Sequence, residues 1–87
     1  MLKITRAANE VVIFTVSGRL DAGNLAALQA LFTSEVSGLR IALELKELTL
    51  VDQGAVSFLM RCESDGIQLK NCPAYIREWV TRERNQS

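Results

Sequence analysis

At 87 residues the chain is the size of one small domain, and its 48% hydrophobic and 23% charged residues support a packed core and argue against disorder or low complexity. Ten basic and ten acidic side chains leave no net charge, so no long-range field gathers nucleic acid or an anionic membrane. There is no histidine, which removes the commonest general base and metal ligand and excludes hydrolases of the Ser-His-Asp type.

The first residues, Met-Leu-Lys-Ile-Thr-Arg, lack the apolar core of a signal peptide, and no run approaches the ~20 apolar residues of a membrane span. The expected location is therefore the cytoplasm. Cys62 and Cys72 are expected there as reduced thiols, their spacing matching neither a zinc knuckle nor a Cys-x-x-Cys pair. Leu2 to Ala7 alternates, with Leu2 and Ile4 opposite Lys3 and Thr5, and Val11 to Ser17 is a denser β-branched run. The short polar break of Ala8, Asn9 and Glu10 between them predicts an antiparallel hairpin.

Gly18 is expected to end the second strand. From Asp21 the period changes, and Leu25, Leu28, Leu31 and Phe32 fall on one face of a helix that Asp21 or Asn24 can cap and that Ser37 and Gly38 close. In the third strand Ile41, Leu43 and Leu45 face one way, while Glu44 and Lys46 face the other. An apolar segment from Leu48 then runs to Asp52, a preferred N-cap, where a helix carrying Ala55, Val56, Leu59 and Met60 begins and continues to Ser64-Asp65-Gly66. Ile67 to Lys70 is a fourth strand. Pro73 fits the first turn of a last helix with Ile76, Trp79 and Val80 on its apolar stripe, Trp79 as a core anchor and Tyr75 as a surface aromatic.

Helical crossovers join strands two, three and four, so the expected architecture is α/β: a four-stranded mixed sheet, the first strand antiparallel and the other three parallel, with helices mainly on one face. Phosphate-binding and dinucleotide-binding glycine loops are absent. Asp21, Glu44 and Asp52 stand at the carboxyl ends of strands, where ligands of α/β sheets bind, but helix capping and solvation account for all three without catalysis. Arg77, Arg82 and Arg84, interleaved with Glu78 and Glu83, form a solvated helix face. The chain is thus expected to be neither an enzyme nor a metal or cofactor protein.

From Val12 to Trp79 the order of these pieces resembles the STAS domain, the fold of bacterial anti-sigma-factor antagonists and of the cytoplasmic tail of sulfate transporters. Gly18-Arg19-Leu20-Asp21 is similar to the family's Gly-x-Leu-Asp, and the Ile41 to Lys46 run to its third strand, with Glu44 where Asp is usual. Val51-Asp52-Gln53-Gly54-Ala55-Val56 falls on the hydrophobic-Asp-Ser-Ser-Gly-Leu motif, and Asp65 to Leu69 on its Gly-x-x-Leu segment. The resemblance implies a non-catalytic docking module for a bacterial protein partner, an anti-sigma factor or kinase-like regulator. Its implied surface is the Asp52 loop with Gln53 and Gly54, the exposed side of the following helix at Ser57, Arg61 and Ser64, and the loop at Arg19 and Asp21.

In the family, phosphorylation of a serine at this helix start breaks the partner contact, the added ~−1.5 to −2 charges changing the docking surface. Gln53 and Gly54 occupy the two serine positions here, and the nearest hydroxyls, Thr49 and Ser57, are displaced from the acceptor position. The resemblance therefore implies an unswitched module. Two other roles stay open from the residues alone: a sensor binding a nucleotide or other anion at the Asp52 helix start, which the negative Asp52 disfavours, and a homodimer paired through the edge of the first strand.

Overall fold

Alternating apolar and polar residues make the first two elements of the chain strands. In a computed structural model describing residues 2–8, 10–33 and 40–86, β1 (Leu2–Ala8) pairs antiparallel with β2 (Val11–Leu20), Thr5 opposite Thr15. Val12, Phe14, Val16 and Leu20 of β2 are buried while the residues between them are not, the period-two signature of a sheet covered on one side. The Asn9 break and the Ser37–Gly38 helix end lie outside the described residues.

Helix α1 (Leu25–Thr33) leads to β3 (Arg40–Glu44), which runs parallel to β2 with Phe14 beside Leu43. Helix α2 (Gln53–Ser64) leads to β5 (Gln68–Lys70), parallel to β3, and α3 (Ala74–Gln86) follows. Both crossovers step to the next strand in the same direction, which with the usual right-handed connection sets α1 and α2 on one side. Leu28 of α1, Val56 and Leu59 of α2, and Ile76 and Val80 of α3 join Phe14, Leu43 and Leu69 in a single core. Phe14, Phe32 and Phe58 form a chain of rings through it, with centroids 5.5 and 5.9 Å apart.

The mixed α/β sheet is as expected, but among the described residues it has five strands rather than four. The segment before Asp52 is itself a strand, β4 (Leu48–Val51), parallel to the last residues of β2. It takes up the pairing of β2 beyond the point where β3 leaves it, which it can do because β2 does not stop at Gly18 but continues to Leu20. Gly18, at φ +91°, sits where the register shifts, the left-handed conformation that a β-bulge commonly asks of a glycine. The bulge keeps Leu20 and Val51 register partners, Leu20 buried and Val51 packed against the core, and delivers Asp52 to the carboxyl end of the sheet.

Candidate functional site

Asp52 leaves β4 in an extended conformation and caps α2. Its Oδ1 accepts the Ala55 N–H at 2.9 Å, and its Oδ2 accepts the N–H of Ala22, thirty positions earlier in the chain, at 3.0 Å. One carboxylate thus ties the loop after β2 to the first turn of α2. The Ala22 and Ala55 amides hold its pKa below the ordinary aspartate value, against a smaller opposing desolvation, and the Arg19 guanidinium adds to the lowering.

The loop that Asp52 grips is fixed from within. Asp21 Oδ1 accepts from the Gly23 and Asn24 amides at 3.0 and 3.2 Å, and Asn24 Oδ1 accepts in return from the Asp21 N–H at 2.9 Å, a reciprocal arrangement like a capping box. Arg19 Nε reaches Asp21 Oδ2 at 3.0 Å, and the Asn24 amide nitrogen donates to the Arg19 carbonyl at 2.9 Å. Gly54 closes the site from the other side. A Cβ on Gly54 would stand 2.9 Å from the Cβ of Ala22, so the two loops meet at a distance that only a hydrogen at position 54 allows.

Arg19, Asp21, Asp52 and Gly54 therefore come together, with Gln53 exposed beside them. Ser57 is half-buried one turn along α2, and Arg61 and Ser64 are exposed further on. Arg61 belongs to a different locality, a pocket of ≈200 Å³ that it lines with Gln29, Phe32, Phe58 and Ile67. Glu44, the third carboxylate at the strand ends, turns away from the other two, both its oxygens accepting from the Asn71 side-chain amide at 2.9 and 3.1 Å. Asp21 and Asp52 both accept from backbone amides, which fixes the orientation of each carboxylate.

Asn24, expected as a cap, and Thr49, expected as a nearby hydroxyl, complete the site together with Ala22 and Tyr75, which the sequence did not assign to it. The Asp-x-x-Asn spacing of residues 21 to 24 signals the reciprocal cap, whereas nothing in the sequence marks Ala22. The Thr49 hydroxyl donates to the Gly18 carbonyl at 2.8 Å, and the Thr49 carbonyl accepts from the Tyr75 hydroxyl, which takes an edge position on β4 that another strand would need. Leu50 and Tyr75, 59% and 50% exposed, bring large apolar surface into solvent at this end of the sheet.

Among the described residues no group of three His, Cys, Asp or Glu side chains could hold a metal, and no helix is long and apolar enough to cross a membrane. Cys62 and Cys72 are free thiols, and burial pushes Cys62 up to about 12 and Cys72 upward as well, which suppresses thiolate chemistry. The sequence matches no protein-family model and no curated protein.

Proposed function

We propose that this chain is a STAS-like, non-catalytic interaction module, cytoplasmic and of the anti-sigma-factor-antagonist kind, that docks a bacterial anti-sigma factor or kinase-like regulator. Its docking surface is the Asp52 loop with Gln53, the exposed side of α2 from Ser57 to Arg61, and the Arg19–Asp21 loop. Phosphorylation at the helix start does not switch it. The observation that carries this reading is the close approach of Gly54 to Ala22: the position where the family keeps an acceptor serine is packed against the neighbouring loop with no room for a side chain. Thr49 offers no substitute, its hydroxyl being engaged by the Gly18 carbonyl.

The test presents immobilised wild-type protein and a Gln53→Arg, Arg61→Glu double variant to purified kinase-like anti-sigma factors with ATP. The wild type is expected to retain one of them, the double variant to bind it at least tenfold more weakly (~1.4 kcal/mol), and intact mass to show no added phosphate. Equal retention of the variant would sink the docking surface. Stoichiometric phosphate at Thr49 or Ser57 would sink the unswitched mechanism.

A further inference from the structure

The sheet has a second side, and the register places its residues. Facing away from the helices are Lys3 beside Ser17, Ile13 between Ala7 and Ala42, Arg40 beside Val11, and Lys70 beside Glu44. The middle of this face is apolar and low: Val11 and Ile13 are half-buried and Ala42 is 1% exposed, with Thr5, Thr15 and Ser17 adding only short side chains. A depression of ≈330 Å³ opens at its lower end, lined by Val11, Arg40, Ala42 and Gln68 together with Ile41 and Gly66. No described helix covers it.

Charge is distributed unevenly around that apolar middle, although the chain as a whole is neutral. Lys3, Arg40 and Lys70 have no carboxylate within ion-pair distance among the described residues. Glu44, the register neighbour of Lys70, is turned to the Asn71 amide and the Lys46 N–H, and Arg19 is held by Asp21. The result is a short apolar patch at Val11 and Ile13 with three cations around it that form no ion pair among the described residues, and Glu44 as the carboxylate that the register sets among them.

We propose that this face receives an acidic amphipathic helix of a partner protein, its apolar stripe on the half-buried Val11 and Ile13 and its flanking carboxylates toward Lys3, Arg40 and Lys70. The excess of cations over carboxylates on this face argues against a basic partner, and the half-buried Val11 and Ile13 beside the depression give an apolar stripe something to cover. From Val11 to Arg19, β2 spans roughly 26 Å at ~3.3 Å per residue, the length of a helix of about 18 residues at ~1.5 Å each. This surface lies across the sheet from α2, so its failure would leave the α2 docking reading untouched.

The test follows amide resonances of the ¹⁵N-labelled chain as two synthetic 18-residue peptides are added, one with a leucine-alanine stripe flanked by glutamates and the other with the same stripe flanked by lysines. The acidic peptide is expected to shift Val11, Ile13, Ala42 and Gln68 saturably, and the basic one not to. Lys3→Glu, Arg40→Glu and Lys70→Glu together should weaken the acidic peptide at least about tenfold and admit the basic one. Equal binding of the two peptides, or shifts confined to α2, would overturn the proposal. So would the same resonances moving with protein concentration alone, which would give the face to a second copy, or responding to phosphatidylserine vesicles in place of the peptide.

Discussion

A methyl group at position 54 would stand 2.9 Å from the Ala22 Cβ, well inside the ~3.5–4.0 Å at which carbon atoms pack. Gly54→Ala should therefore set two effects against each other: overpacking of about 1–3 kcal/mol and a helix-propensity gain of up to ~1 kcal/mol. The net effect is destabilising. Once Ala22→Gly has been made, the nearest remaining atoms are the Cα of residue 22 and the Asp52 Oδ1, both at 3.5 Å and ordinary contacts, and the same substitution at 54 should become stabilising. Denaturant unfolding of the four proteins in this cycle checks the reversal of sign, and a coupling near zero would mean that the two loops do not press on each other. Gln53→Ser, at an exposed position, should leave stability within ~0.5 kcal/mol. The site divides the same way in legibility. Asp52 could be read as a cap because an acidic residue between an apolar segment and a helical period has one common use, whereas Ala22 belongs to no pattern and gains its role only when the chain folds two loops together.

Between elements, Glu63 joins α2 to α3. Arg77 Nη1 lies 3.0 and 2.9 Å from its two carboxylate oxygens, and Arg84 reaches it from almost two turns further along α3. The Arg84 hydrogen bond is the largest cause holding Glu63 below the ordinary glutamate value, with desolvation opposing and Arg77 lowering it further. A carboxylate whose folded-state pKa is depressed stabilises the fold fully above its unfolded value and loses that contribution as pH falls through the folded one. The docking of α3 on α2 should thus weaken from about pH 4.5 downward, and Glu63→Gln should flatten that acid limb of the denaturation midpoint against pH. An unchanged limb would assign the acid sensitivity elsewhere. The same contacts explain why the arginines of α3 are a structural and solvated face. Elements with a full period, such as β2, α2 and α3, were legible in the sequence. β4 was not, because four residues with Thr49 and Leu50 exposed show no alternation, and because a strand-internal glycine reads as a stop until the bulge at Gly18 is seen.

At the scale of the whole molecule everything is assembled on β2, which pairs with β1, β3 and β4 and places Val12, Phe14 and Val16 under all three helices. That centrality was half visible, since the expected hairpin and first crossover gave the second strand two neighbours while its third partner was hidden. An 87-residue domain of ordinary stability has roughly 4–13 kcal/mol to lose. Replacing Phe14, 0% exposed and first in the chain of three rings, by alanine removes about 3–5 kcal/mol of that. Because β2 is shared by every other strand but β5, its hydrogen-bonded amides should open only when the whole domain does, and native-state hydrogen exchange should find the slowest amides between Val12 and Val16. Phe14→Ala should lower the protection of those amides by its full unfolding cost. It should lower that of β1's outer edge much less, since an edge strand opens locally. If the slowest amides lay instead in α3, or fell by less than the global stability loss, the helical layer rather than β2 would be the cooperative centre of this fold.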